Sequence, residues 1–181
     1  CVEVSTVHFH HDTRLDRLIS NILFADGAAA TVVGVPNEDR TGPEILATAS
    51  RLIEASADAM AWEVGDRGFD MTLAAEVPDL IGDVLADWVD ESLAAHGVRR
   101  ADIGGWAIHP GGPRVIDAVC TALELPPQAA TISREVLRHR GNMSSATLLH
   151  ILERFQSTEV PRPWVGLAFG PGLSGEMVLI R

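Results

Sequence analysis

The sequence predicts an α/β domain, a mixed sheet with helices layered on it, over residues 1–181. Three observations lead there. Short segments rich in Val, Ile and Thr alternate with segments whose apolar residues recur at three- and four-residue steps, the mark of strands interleaved with amphipathic helices. One helical pattern is especially clear: Val77, Leu80, Ile81, Val84, Leu85, Trp88, Val89 and Leu93. Finally, the chain closes on two apolar runs, residues 164–169 and 176–180, joined by Gly170-Pro171-Gly172-Leu173-Ser174-Gly175, which reads as a hairpin.

Taken in order, residues 1–9 alternate and are rich in Val and Thr, predicting a strand. Leu15, Leu18, Ile19 and Ile22 stand at helical spacing. Gly27 turns the chain into a small-residue strand predicted buried, 28–33, and a polar loop follows over 36–43. Residues 45–53 and 69–73 are predicted strands flanking a loop or ribbon. The helix from Val77 has Pro78 in its first turn and Gly97 as its stop signal. Residues 105–109 form a short buried strand ending at Pro110-Gly111-Gly112, and a helix over 113–123 turns Val115, Ile116, Val119, Cys120 and Leu123 inward. Ser133 is expected to cap a helix running to Arg140, and Ser144 or Ser145 another carrying Leu148, Ile151, Leu152 and Phe155. No internal repeat or low-complexity tract is visible.

Composition narrows the chemistry. A net charge of −11 argues against nucleic-acid binding, which needs cations to neutralise phosphates. No apolar run reaches the length of about 18 residues that a membrane span needs, so no membrane partner is expected. The absence of Lys excludes a lysine Schiff base, and with it the usual anchor of pyridoxal phosphate. Two distant Cys make neither a disulfide framework nor a CxxC pair, so a reducing, cytoplasmic setting is expected. The chain opens on Cys1, in the middle of a predicted strand, which is how a truncated chain begins.

Four constellations could carry function. His109 ends a strand just before Pro110-Gly111-Gly112, where Pro110 restrains the His backbone and the glycines let a ligand approach the main chain. A structural His beside a turn fits the same residues. Asn142, in Gly141-Asn142-Met143-Ser144-Ser145, could donate its amide N–H into a cavity; a turn or cap residue is the plainer reading. The loop at Gly170-Pro171-Gly172 lacks the Lys of a P-loop and reads as a hairpin turn. His8 and His10 would share one strand face and permit a metal pair, but no third ligand is evident, so a polar edge face is favoured and no metal is expected. Cys120 lies on an apolar helix face and Cys1 has no neighbouring base, so neither reads as a nucleophile.

In combination these segments are more specific. Trp106-Ala107-Ile108-His109-Pro110-Gly111-Gly112-Pro113, Ser133-Arg134-Glu135-Val136-Leu137, Gly141-Asn142-Met143-Ser144-Ser145-Ala146 and Gly166-Leu167-Ala168-Phe169-Gly170-Pro171-Gly172 occur in that order, after Leu23-Phe24-Ala25-Asp26-Gly27. The set resembles the type III polyketide synthases, the chalcone and stilbene synthase family, along essentially the whole chain. His-Pro-Gly-Gly and Gly-Asn-Met-Ser-Ser favour this branch over the related ketoacyl synthase III enzymes.

The resemblance implies the C-terminal half of a thiolase-like fold, a homodimer when full length, and acyltransferase activity: decarboxylative Claisen condensation of malonyl-CoA onto a starter acyl-CoA, with coenzyme A thioesters as substrates and no bound cofactor. His109 and Asn142 would be two members of a Cys-His-Asn triad. The nucleophilic Cys would lie upstream, and Cys1 matches a structural Cys that follows it. Phe24 would be a gatekeeper between the CoA tunnel and the cavity, and Met71 stands where plant members carry a second gatekeeper Phe. Ser5, His8, Ser144 and Pro171 would line the site, and Gly111 and Arg114 would lie on the CoA side. His8 and Trp62, bulkier than their plant counterparts, imply a smaller or reshaped pocket. The alternative is a truncated, catalytically inactive fragment of such an enzyme.

Overall fold

The computed structural model describes residues 1–9, 11, 13–35, 42–66 and 68–181. Its centre is a four-stranded mixed sheet of order β3-β8-β7-β6, built from β3 (Ile45–Leu52), β6 (Gly105–Ile108), β7 (Trp164–Gly170) and β8 (Ser174–Ile180). β7 and β8 form the expected hairpin, β3 adds antiparallel to β8, and β6 runs parallel to β7. A parallel pair cannot be closed by a tight turn. The connection from β6 to β7 is accordingly long and carries α3 (Pro113–Ala122), α4 (Thr131–Arg140) and α5 (Ser145–Ser157).

Side-chain alternation along the strands divides the core in two. Trp106, Ile108, Val165, Leu167, Met177 and Leu179 face one way, against α2 (Val77–Ala94) and α3. Ala107, Trp164, Val178 and Ile180 face the other, against Val136 of α4 and Ala146, Ile151 and Phe155 of α5. This is a three-layer α/β/α arrangement, as the strand and helix patterns require. α2 buries Val77, Ile81, Leu85, Trp88, Val89 and Leu93; Pro78 and Asp79 sit in its first turn, and Gly97 beyond its end takes φ +67°. Each fully buried side chain of this size contributes roughly 1.5–3 kcal/mol. Cys120 is buried on α3, as expected, and that burial is the main reason its thiol titrates above its ordinary range.

Outside this sandwich lie a two-stranded ribbon, β4 (Met60–Gly65) with β5 (Gly68–Leu73), and a minimal pair, β1 (Val2–Glu3) with β2 (Gly27–Ala28), flanking α1 (Leu15–Leu23). Three expectations need correction. The strand over 1–9 is only β1, followed by a short 3-10 helix, Ser5–His8, so His8 does not alternate along a strand; His10 and the loop residues 36–41 lie outside the described residues. The buried strand over 28–33 is reduced to β2, and Val32 and Val33 are exposed, because nothing in the described chain packs on them. Ser133 does not cap α4, which begins at Thr131. It is buried inside the helix, and its Oγ accepts the Ile108 N–H at 3.1 Å, satisfying a donor on the free edge of β6. Ser144 occupies the cap position of α5 but makes no side-chain capping bond. Among the described residues no helix is long and apolar enough to cross a membrane.

Candidate active site

A concave cavity of about 420 Å³ lies between the 3-10 helix, α1 and the β4–β5 ribbon. Ser5, His8, Phe24, Met71 and Ser144, all anticipated from the sequence, line it together, as do Arg17, Trp62, Phe69 and Asp70. Local bonds explain the shape. Thr6 donates its backbone N–H and its hydroxyl to the Asp26 carboxylate, at 2.8 and 2.6 Å, tying the 3-10 helix to the turn after Phe24. The same bonds, the hydroxyl's first, hold the Asp26 pKa below its ordinary value. Phe24, Trp62 and Phe69 then meet edge to face in a chain, at 5.8 and 6.2 Å between centroids, forming the aromatic wall.

Asn142, which is not among the residues lining this cavity, is joined through its backbone to the neighbours of Phe24. Its backbone N–H donates to Leu23 O at 2.7 Å, and its carbonyl accepts the Ala25 N–H at 2.9 Å, an isolated bridge that splices it to Phe24. Gly141 permits the approach: it takes φ +73°, and a Cβ there would lie 2.7 Å from the Ala25 Cβ. The buried carboxamide is oriented by Ser144, whose N–H donates to Oδ1 at 2.9 Å. That bond leaves the amide nitrogen, with its two hydrogens, as the end able to donate to a ligand.

His109 follows β6 directly. Its N–H donates to Leu167 O at 2.7 Å and its carbonyl accepts the Gly111 N–H at 3.0 Å, so the turn is fixed to β7 and to itself, while the Ser133 contact holds Ile108 on the other side. The imidazole is half-buried, and removal from water pushes its pKa down to about 4, so it is neutral at pH 7. Leu23 connects the two turns: it accepts from Asn142, and a side chain at Gly112 would lie 3.6 Å from its Cδ1. A second cavity, about 310 Å³, opens at this junction, lined by Leu23, Pro113, Arg134, Arg138 and Gly141 among others. Consecutive residues Leu23 and Phe24 thus border different cavities.

The remaining anticipated residues sit apart from the first cavity. Gly111 belongs to the His109 turn, Arg114 is exposed at the start of α3, and Pro171 is exposed in the β7–β8 connection. The sequence reading missed Arg17 and Asp70, which form an ion pair at 2.7 Å on the cavity lining. A charged residue inside the apolar run 69–73 was the available signal for Asp70.

Residues 44–181 match the family described as "Chalcone and stilbene synthases, C-terminal domain". The chain belongs to the chalcone and stilbene synthase family. Similarity to individual members of that family extends over the residues before 44 as well. The chain is 39% identical to a 1,3,6,8-tetrahydroxynaphthalene synthase of Streptomyces peucetius subsp. caesius over 186 aligned residues, covering 99% of this chain and 49% of that protein. It is 35% identical to a 3,5-dihydroxyphenylacetyl-CoA synthase of Amycolatopsis orientalis, covering 100% of this chain and 50% of that one. The crystal structure of PKS-I from the brown alga Ectocarpus siliculosus superposes with a TM-score of 0.90 at 27% identity, over 100% of this chain and 51% of the other. The fold is therefore the thiolase-like fold of the chalcone and stilbene synthases. The chain spans about half the length of the relatives it matches.

Proposed function

We propose that this chain supplies the His and Asn of a type III polyketide synthase, an acyltransferase that condenses malonyl-CoA decarboxylatively onto a starter acyl-CoA, working as a homodimer in the cytoplasm. The observation that carries the reading is the meeting of two turns at Leu23, one bearing a neutral imidazole and the other an amide with its donor end left available. The nucleophilic thiolate comes from the part of the family's length that this chain does not span. That thiolate attacks the starter thioester and expels CoA. Malonyl-CoA then loses CO₂, and the electrons of the broken C–C bond pass to the thioester oxygen as an enolate. Donors already aimed at that oxygen lower the barrier, and a neutral His serves as such a donor together with the Asn142 amide. The enolate carbon attacks the acyl-Cys carbonyl, the thiolate leaves, and the chain is two carbons longer. Gly111 and Arg114 stand on the CoA side, and Pro171 belongs to a loop that lines the site.

Decarboxylation of labelled malonyl-CoA by the full-length protein tests this directly. His109→Ala and Asn142→Ala should each lower the rate by at least about 100-fold, the scale for one lost oxyanion donor. Unchanged rates in both variants would remove these two residues from the mechanism. The 181-residue chain by itself should form no acyl-enzyme from labelled acyl-CoA; a stable adduct on it would show that the nucleophile lies within this sequence.

A further inference from the structure

The wall of the cavity beside the 3-10 helix has two characters. Phe24, Trp62 and Met71 offer apolar surface, while His8, Arg17 and Asp70 form a polar strip around the start of β5. The His8 ring is held three ways. Phe69 donates its backbone N–H to Nδ1 at 3.3 Å, the two rings meet edge to face at 5.0 Å, and the backbone at Gly68 closes so tightly that a Cβ there would lie 2.7 Å from Nδ1. A ring nitrogen that accepts carries no proton, so the N–H of this ring is at Nε2. Asp70, next in sequence to Phe69, is paired with Arg17 at 2.7 Å, and these side chains keep 27% (Arg17) and 39% (Asp70) of their surface in contact with solvent.

From this strip we propose that the cavity selects acyl groups carrying oxygen along the chain, β-ketoacyl groups in particular, over hydrocarbon acyl groups of the same length. The proposal rests on the acyltransferase reading above and adds to it a substrate class and three residues that set it: His8, Arg17 and Asp70. A hydrocarbon chain laid on this wall strips water from the His8 N–H and the ion pair and returns no hydrogen bond. A ketone oxygen replaces the lost water, while the flanking aromatic edges pack on the methylenes. Sites built to hydrogen-bond a substrate group discriminate strongly against the analogue lacking it, because their own polar groups are left unpaired.

The experiment compares acetoacetyl-CoA with butyryl-CoA, which differ by one ketone oxygen, as starters for the full-length protein. The wild type should favour acetoacetyl-CoA in kcat/KM by at least about tenfold. His8→Phe, which keeps the ring contact with Phe69 but has no N–H, should reduce that ratio several-fold, and so should the charge-balanced Arg17→Met/Asp70→Leu pair. His8→Gln, which restores an N–H near the position of Nε2, should recover it. Thermal melts establish that each variant is folded, and either of the first two suffices if the other is not. A wild type that favours butyryl-CoA or is indifferent, or a ratio unmoved in folded variants, overturns the proposal. Failure of the wild type to load either thioester or to consume malonyl-CoA instead sinks the acyltransferase reading on which it stands.

Discussion

Residues 1–35 and residues 44–181 use the same kinds of apolar side chain in opposite ways. In the second region Ile81, Leu85, Leu93, Ile108, Ile116, Leu167 and Leu179 are completely buried. In the first, Val2, Leu15, Ile22, Val32 and Val35 are each more than 70% exposed, although α1 carries an apolar stripe as regular as that of α2. An amphipathic pattern records that a face is to be buried; it does not name the partner. For α2 the partner is the sheet of the same chain. α1 touches β5 of the ribbon but leaves Leu15 and Ile22 largely exposed, as the 28–33 segment leaves Val32 and Val33, and in the proposed full-length enzyme the half that this chain does not span would cover them.

This contrast can be broken or sharpened by experiment. The largest expected effect is in the sandwich: Leu85→Ala should destabilise the chain by about 2–5 kcal/mol in urea unfolding, since both transfer free energy and a cavity are at stake. A smaller effect is expected from pH. The folded His109 pKa, about 4, lies below its unfolded value, so the unfolded chain binds more protons between about pH 6.5 and 4. Stability is complete above that window and declines as pH falls through it. His109→Gln should flatten the decline, whereas a slope unchanged by the substitution would assign it to other groups. Asp26 and Asp102, held low chiefly by hydrogen bonds from Thr6 and Arg99, titrate at more acid pH and do not confuse the measurement. The smallest effect belongs to the open face. Ile22→Ser should shift the isolated chain by no more than about 0.5 kcal/mol, and a loss of about 2 kcal/mol there would mean that α1 is already covered.

The same contrast explains how much could be read in advance. α2, the β6 turn and the closing hairpin were legible because periodicity, Pro78, Gly97 and the glycine-rich connection all agree with packing inside this chain. The 28–33 strand was overread because its small apolar residues announce burial that the chain does not itself provide. Ser133 was mistaken for a cap because a hydroxyl near a helix start has that use far more often than bonding a strand edge in another layer. At the site, the cavity residues Ser5, His8, Phe24, Met71 and Ser144 were named through the family resemblance rather than through spacing. The Arg17–Asp70 pair, which joins a helix to a strand some fifty positions away in sequence, left only a lone carboxylate in an apolar run as its trace.

The backbone splice between Phe24 and Asn142 sets limits on how such a pocket can be resized. Moving the Phe24 main chain outward would drag the carboxamide with it, so extra room gained that way would be lost in alignment. Residues 8, 62, 69 and 71 belong to other segments, tied to one another rather than, among the described residues, to Asn142. Adaptation to a longer or bulkier guest should therefore proceed by trimming or swelling side chains at those four positions, leaving the scaffold at 23–25 and 141–144 untouched.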